Sequence, residues 1–242
     1  MNYPSISEFN VYKNALEKLP ETKILISTIN AHSYNVACKD PAFYQSLKGS
    51  QVLLPDGISI VMAFKLLTGE KIKKIAGADL FFYEMEKLNL IGGKVFFLGS
   101  TNAVLKKIKT RASKDFPNVS IALYSPPYKT TFSINDNETM INAINAQNPD
   151  VLFIGMTAPK QEKWAYQHFN KLNALHIGCI GAVFDFYAGD VKRAPTWIVK
   201  TGFEWCYRLF SEPKRLWKRY LFGNASFVQK LLKEKLIRVR IL

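Results

Sequence analysis

Short runs of apolar, β-branched and aromatic residues recur along the chain, and longer segments with helical spacing of apolar residues lie between them. Apolar runs of about four to eight residues are typical of strands that are buried on both faces of a parallel sheet. The predicted strands are KILISTIN (23–30), QVLLPDG (51–57), KVFFLGS (94–100), VSIALYSPP (119–127), DVLFIGM (150–156) and LHIGCIGAVFD (175–185).

Helices are predicted between most of these strands. Asn102 and Asp136 are predicted to cap two of them, and Pro159 suits the first turn of another. The alternation predicts an α/β fold with a Rossmann-like, mostly parallel sheet and helices on both faces. Ligands bind at the carboxyl ends of the strands in such sheets, so the loops after the strands are expected to hold the functional residues. The segments with the clearest helical spacing are 58–68, 78–90, 102–116, 135–147 and 159–172.

The alternation of strands and helices stops after about residue 195. Two or three helices are predicted beyond it, with interruptions near Pro213 and Gly223. The segment is too short to bury a core of its own. We therefore expect an α/β domain over residues 1–195 and a helical appendage over residues 196–242.

Basic residues are concentrated in the C-terminal part of the 242-residue chain. Its net charge is +14, and residues 190–242 hold 13 Lys and Arg against 4 Asp and Glu, which gives +9. This placement predicts an anionic partner for the C-terminal segment. On one helix, Arg208, Arg215 and Arg219 would lie within about 40° of one another. The same segment has apolar surface at Trp205, Leu209, Leu216, Trp217 and Tyr220.

The basic and aromatic segment fits several roles. It could cover a site that binds diphosphates, dock on a membrane headgroup interface, or pack on the core with a solvated basic face. Arg with aromatic residues can also bind single-stranded nucleic acid, but no RNP, KH or helix-turn-helix pattern accompanies them, so no nucleic acid is expected. We expect a lid or a membrane-docking appendage.

Cysteine content and apolar run length indicate the compartment. Cys38, Cys179 and Cys206 form neither a disulfide framework nor a CxxC pair, which fits a reducing cytoplasm. The N-terminal residues lack the basic start and apolar run of a signal peptide. No run of 18 apolar residues occurs, so any membrane contact is expected to be peripheral.

Polar residues stand at the predicted exits of the first two strands. Thr28 and Asn30 end the first strand, and Asp56 lies on the turn after the second. Pro-Asp-Gly is a common turn sequence, so Asp56 could be a plain turn or capping residue. A carboxylate at the carboxyl edge of a sheet could also serve as a general base for an attacking hydroxyl.

Two other loops carry weaker signals. Gly99 leads into a helix whose first amides could contact a phosphate, or the helix could simply be capped there. The segment has neither GxGxxG nor GxxxxGK[ST], so it specifies no dinucleotide or P-loop site. Gln161 and Glu162 could bind sugar or base hydroxyls, or could be a solvated Gln beside a capping Glu.

Metal and hydrolase chemistry have little support in the sequence. His32, His168 and His176 form no HExxH or Cys/His group, and each is expected to be a surface or a satisfied histidine. Neither GxSxG nor a cysteine in an electropositive turn occurs. We expect no metal and no cofactor.

Seven segments occur together in an order that resembles the WecG/TagA/CpsF family of bacterial glycosyltransferases. The likeness covers roughly residues 28–227, and PKQE, RAPxW and EWxxRLxxEPxRxxxRY are specific in combination. The segments are LPDG, AGADL, VFFLGS, PPY, INAQNPDVLFIGMTAPKQEKW, GAVFDFYAGDVKRAPTW and GFEWCYRLFSEPKRLWKRY.

The resemblance implies an inverting, metal-independent transfer of an N-acetylmannosamine-type sugar from a UDP donor. It implies an acceptor sugar on undecaprenyl diphosphate, at the cytoplasmic face of the membrane. Asp56 matches the catalytic base of the family, and Thr28 and Asn30 match polar residues of its pocket. Gln161 matches a residue near the donor. The residues that match basic positions of the tail are Arg193, Arg208, Arg215 and Arg219.

One position departs from the family pattern. Many relatives have Arg shortly before Gly-x-Asp, where this chain has Lys74. Lys keeps the charge but loses the bidentate geometry of Arg. Another UDP-hexose, such as a glucose, N-acetylglucosamine or uronic acid donor, and a nucleotide-sugar-binding protein without turnover remain alternative functions. The protein could also form a homo-oligomer.

Overall fold

A single parallel sheet organises the protein. The computed structural model describes residues 3–192, 194, 195, 197, 198 and 204–241, and for residues 215 and 239–241 only the backbone. Within this part of the chain, all neighbouring strands are parallel, and the order is β2-β1-β6-β5-β3-β4. The strands are β1 (Ile24–Ile29), β2 (Val52–Pro55), β3 (Lys94–Gly99), β4 (Ser120–Tyr124), β5 (Val151–Gly155) and β6 (His176–Cys179).

Helices follow the strands as the predicted α/β fold class requires. The five predicted helices are confirmed to within a few residues. The pair α1 and α2, between β1 and β2, was not predicted. The helices are α1 (Ala31–Ala37), α2 (Pro41–Lys48), α3 (Ile58–Thr68), α4 (Gly77–Ile91), α5 (Asn102–Asp115), α6 (Ile134–Asn145), α7 (Lys160–His168), α8 (Val183–Ala188), α9 (Glu204–Ser211) and α10 (Pro213–Ile241).

The ends of several elements differ from prediction. The side chain of Thr101, not Asn102, caps α5, and Ser133, not Asp136, caps α6. Asp136 instead completes a capping box, because its carboxylate accepts the backbone N–H of Ser133 at 2.8 Å. The predicted strand 175–185 contains both β6 and the start of α8, since a short apolar run cannot distinguish a buried strand from a buried helix.

Apolar side chains cover both faces of the sheet. On one face, Ile26, Leu54 and Phe97 pack with residues of α4, α5 and α8. On the other face, Leu25 and Ile154 pack with α6 and α7. Burial on both faces explains why the strands are nearly continuous apolar runs instead of alternating ones.

The C-terminal helices pack on the α/β core. The helical structure is interrupted at Glu212, between α9 and α10. This is next to the interruption that was predicted near Pro213. The predicted interruption at Gly223 is wrong, because α10 continues through it. A helical Gly costs about 1 kcal/mol relative to Ala, and buried Leu216 and Phe227 on either side offset this cost.

The far end of α10 contacts the N-terminal residues. Phe227 and Leu231 join a buried cluster with Ile6 and Tyr34. The buried Glu234 carboxylate accepts the backbone N–H of Ile6 at 3.1 Å. The appendage thus shares its core with residues near the N-terminus, and the domain boundary at residue 195 stays a prediction.

The described helices lack the features of membrane spans. Over residues 3–192 and the described positions beyond them, no helix combines the length and the apolar character needed to span a bilayer.

Candidate active site

Asn30 and Asp56 lie side by side at the carboxyl edge of the sheet. The parallel register pairs Ile29 with Pro55, so each residue directly follows a paired position. The backbone N–H of Asp56 donates to the carbonyl of Ile29 at 2.9 Å, which extends the pairing by one step. Thr28 lies two residues before Asn30 on β1 and, by strand alternation, on the same face of the sheet.

The side chain of Asn30 has two roles. Its Oδ1 atom accepts the backbone N–H groups of His32 at 3.0 Å and Ser33 at 3.1 Å, which caps α1. Its side chain also hydrogen-bonds the carboxylate of Asp56. A carboxylate only accepts, so the amide Nδ2 must be the donor in that bond.

Charged residues of both signs surround Asp56. Burial raises its pKa above the ordinary value, and the negative charge of Glu204 raises it further. Lys74, the hydrogen bond from Asn30, and Arg208 act in the opposite direction. Asp56 is therefore a carboxylate held among two cations and a second acid, an arrangement that suits a general base.

Lys74 reaches this site from the loop between α3 and α4. The backbone N–H of Ile75 donates to the carbonyl of Pro55 at 3.1 Å, which ties the loop to the end of β2. The Nζ atom of Lys74 forms an ion pair with Glu204 at 3.2 Å. The loop thus brings a cation close to Asp56, and contact between Lys74 and a substrate stays a prediction.

The C-terminal helices place two of the predicted arginines at the same edge. The guanidinium of Arg208 lies over the ring of Phe186 in α8, 5.2 Å from its centroid. Arg219 lies close to His32. Burial, together with the positive charge of Arg219, lowers the pKa of His32 to about 4. Arg193 lies outside the described residues, and Arg215 is described by its backbone alone.

Gly99 is required by the backbone around it. Its φ of +122° is open to glycine, and a Cβ there would lie 2.5 Å from the carbonyl oxygen of Gly155. The next residue, Ser100, donates its N–H to the same carbonyl at 3.1 Å. The glycine therefore lets β3 and β5 end close together, and contact between this loop and a phosphate stays a prediction.

Gln161 and Glu162 are buried in the first turn of α7. The side chain of Gln161 accepts the N–H of Met156 at 3.2 Å and donates to Glu162 at 2.8 Å. Burial raises the pKa of Glu162 to about 7. These contacts make Gln161 a support of the loop after β5, and its contact with a ligand stays a prediction.

Three residues at the site were not identified from the sequence. His32 follows the Asn30 cap and was predicted to be a surface or satisfied histidine, but it faces the positive charge of Arg219. Glu204 lies four residues before Arg208, a helical spacing that could have indicated a shared face. Phe186 lies in an apolar run that gave no signal of its own.

The other two histidines are buried. His176 hydrogen-bonds Glu84 at 2.7 Å and the carbonyl of Pro20 at 2.9 Å, and so is a satisfied histidine. His168 packs against Trp164, with 5.2 Å between the ring centroids and the rings tilted by 57°. Among the residues that the structure describes, no three or more His, Cys, Asp or Glu form a group that could hold a metal ion.

The chain matches known glycosyltransferases over most of its length. Residues 5–241 match the family described as Glycosyl transferase WecG/TagA/CpsF. An N-acetylglucosaminyldiphosphoundecaprenol N-acetyl-beta-D-mannosaminyltransferase of Bacillus subtilis (strain 168) is 35% identical over 212 residues, which cover 87% of this chain and 80% of that protein. Proteins of the same name from Bacillus spizizenii and Staphylococcus aureus (strain MW2) are 34% and 28% identical, over 87% and 88% of this chain and 79% and 81% of theirs.

The parallel α/β sheet has a candidate base and cations at its carboxyl edge, which is where sheets of this kind bind their ligands. The chain belongs to the WecG/TagA/CpsF family, and it is a glycosyltransferase.

Proposed function

We propose that this protein transfers an N-acetylmannosamine-type sugar from a UDP donor to a sugar linked to undecaprenyl diphosphate. Three relatives from two genera carry a name that states this sugar and this acceptor. The observation that carries the proposal is the position of Asp56 beside Asn30, Lys74 and Arg208 at the carboxyl edge. Cell-surface polysaccharide synthesis, such as that of a teichoic acid linkage or a capsule, is the process that would consume the product.

The mechanism follows from this arrangement. The carboxylate of Asp56 accepts the proton of the acceptor hydroxyl, while the hydroxyl oxygen forms a bond to the anomeric carbon of the donor. The bond from that carbon to the β-phosphate oxygen breaks, and its electron pair leaves with UDP. Attack on the face opposite the leaving group inverts the anomeric configuration.

Cations would stabilise the charge that develops on the departing diphosphate. Lys74 and Arg208 are beside Asp56, and Arg219 lies next to His32 at the start of α1. Preorganised cations near a developing negative charge lower the barrier most effectively where water is scarce. With these cations, the transfer would need no metal ion or other cofactor.

We also propose that α10 docks on the anionic inner face of the membrane, where a lipid-linked acceptor would lie. Its outer face has exposed apolar side chains four or seven residues apart, with exposed lysines beside them. Such a face fits an interfacial helix. The apolar residues are Trp217, Leu221, Val228, Leu232 and Leu236. The lysines are Lys214, Lys218, Lys233 and Lys235.

The decisive experiment combines purified protein, a panel of UDP-sugars and a short-chain prenyl-diphosphate N-acetylglucosamine acceptor. The expected product gains one N-acetylhexosamine, with mass spectrometry and NMR identifying a β-linked N-acetylmannosamine. Transfer of a different hexose would favour one of the other donors. UDP-sugar binding without any product would favour a non-catalytic binding protein and contradict the proposal.

A further inference from the structure

Glu204 connects the C-terminal helices to the loop that carries Lys74. Its carboxylate lies 3.2 Å from the Lys74 Nζ atom, and the two side chains are only 20% and 19% exposed. The ion pair between Lys13 and Glu70, from the same loop, is 46–51% exposed. Solvent weakens exposed pairs, so the pair of Lys74 and Glu204 is the stronger link of the two.

Helical geometry couples Glu204 to Arg208. The two residues are four positions apart in α9 and therefore lie on one face of that helix. Holding Glu204 on Lys74 consequently also holds Arg208 near Asp56, where it stacks on Phe186. The first turn of α9 is in this way attached to the end of β2 through the Lys74 loop.

Groups from three parts of the fold face Asp56. Asn30, at the junction of β1 and α1, contributes a hydrogen bond, and Lys74 contributes a positive charge from its loop. Helix α9 contributes the negative charge of Glu204 and the positive charge of Arg208. Glu204 favours the protonated form of Asp56, and the other three groups favour the ionised form.

We propose that Glu204 is a positioning residue of the transfer reaction, which holds Lys74 and the Arg208-bearing helix α9 beside Asp56. This inference rests on the proposed function and adds a residue to its site. The ammonium group of Lys74 has three donors, so it can keep Glu204 and still bind an oxygen of the donor diphosphate. The negative charge of Glu204 also raises the pKa of Asp56, which makes the Asp56 carboxylate a stronger base for the acceptor hydroxyl.

The test compares Glu204→Gln with Glu70→Gln as the matched control from the exposed pair. Glu204→Gln should lower kcat about tenfold, while the KM for the UDP-sugar changes less than about threefold. Its acid limb in the profile of kcat/KM against pH should move to lower pH, because a negative charge near Asp56 is lost. Lys74→Met should move this limb to higher pH.

A conservative variant separates position from charge. Glu204→Asp keeps the charge but shortens the side chain, so its acid limb should stay near that of the wild type while kcat falls. Hydrogen exchange of the amides in α9 should be faster in Glu204→Gln than in Glu70→Gln. An unmoved acid limb in Glu204→Gln, or Glu204→Gln behaving like Glu70→Gln in turnover and exchange, would overturn the inference.

A direct titration keeps this result separate from the proposed function. Carboxyl-carbon NMR of Asp56 in wild type and Glu204→Gln needs no substrate, and the pKa should be lower in the variant. Failure of the wild type to transfer any sugar would refute the proposed function alone. An unchanged Asp56 pKa with unchanged exchange in α9 would refute the role of Glu204 alone.

Discussion

The side chain of Asn30 joins the first turn of α1 to the carboxylate of Asp56. Its oxygen caps the helix at His32 and Ser33, and its amide group donates to Asp56. Because the oxygen accepts from the backbone N–H groups of α1, the amide group is the part of the side chain that is left to donate. The register of β1 and β2 therefore fixes both the position of the candidate base and the direction of the hydrogen bond it receives.

Replacement of Asp56 tests its role as the base. Asp56→Asn should lower kcat by about 100-fold or more, because the amide cannot accept the proton of the acceptor hydroxyl. Binding of UDP, measured by calorimetry, and the thermal midpoint should change little. The control is Asp115→Asn, at the C-terminal end of α5. Turnover near that of the wild type would exclude Asp56 from proton transfer.

Chelation tests the expected independence from metals. In the proposed mechanism, Lys74, Arg208 and Arg219 stabilise the leaving diphosphate, so transfer should continue in EDTA at about its original rate. The measurement is the initial rate in EDTA, followed by addition of Mg²⁺ or Mn²⁺. Loss of activity in EDTA with recovery in either ion would show a metal requirement.

Charge reversal on α10 tests membrane docking. Lys214→Glu with Lys218→Glu should weaken binding to vesicles containing phosphatidylglycerol by about 30-fold or more, since each basic residue near such a surface contributes about 1 kcal/mol. Turnover of a water-soluble acceptor analogue should stay within about threefold of the wild type.

The control for this experiment reverses two exposed lysines elsewhere, with Lys106→Glu and Lys109→Glu on α5. Equal loss of vesicle binding in both variants would show a general charge effect without a docking face. Lys230 is unsuitable for the test, because it bonds the side chain of Asn35 at 2.6 Å instead of facing outward.

Substitution of Gly99 tests whether its backbone is essential. Gly99→Ala should lower the free energy of unfolding by at least about 2 kcal/mol, because the conformation is strained for any side chain and the new Cβ meets the carbonyl of Gly155. Urea unfolding of Gly189→Ala is the control, since Gly189 also has a positive φ but no atom within 4 Å of an added Cβ. Equal losses of stability in the two variants would show that the positive φ, and not the contact with Gly155, causes the effect.

The buried pair of His176 and Glu84 predicts a stability that falls with increasing pH. Burial alone would lower the pKa of His176, but the hydrogen bond and charge of Glu84 and the carbonyl of Pro20 raise it above 6.5. The folded protein therefore holds this proton more tightly than the unfolded chain. The stabilisation is complete below about pH 6.5 and is lost as the pH rises through the folded-state pKa.

Urea unfolding at pH 6 and pH 8.5 measures this dependence. The double variant His176→Gln, Glu84→Gln should show a smaller loss between the two values than the wild type. Glu162 acts in the same direction, because its pKa of about 7 makes ionisation in the folded state unfavourable. The variant Glu162→Gln measures the contribution of Glu162 to this loss of stability separately. A wild-type stability that rises from pH 6 to pH 8.5 would contradict the assignment.

The amino-acid sequence by itself determined the fold class. Strands buried on both faces must be apolar at successive positions, and the runs that became β1, β2, β3 and β5 show this directly. The same pattern could not separate β6 from α8, since both are short and buried. It also gave no indication of α1, whose start depends on the Asn30 cap.

For the site, the sequence indicated Asp56, Asn30, Lys74 and Arg208 as separate candidates in four segments. The family resemblance raised Asp56 above the plain turn residue that Pro-Asp-Gly also allows. Their adjacency is a property of the tertiary structure: the β1–β2 register brings Asn30 to Asp56, and the packing of α9 brings Arg208 near Asp56.

The tertiary structure alone decided which charges face one another. His32 belonged to no motif, and Glu204 was only the first residue of the EWxxRLxxEPxRxxxRY string. The importance of both comes from Arg219 and Lys74, which are more than 100 residues away in sequence. Gln161 could have been a solvated residue beside a capping Glu, yet it is buried and donates to Glu162. Hydrophobic periodicity is local and can be detected along the chain, whereas a pKa or an ion pair depends on distances that are fixed only when the elements pack.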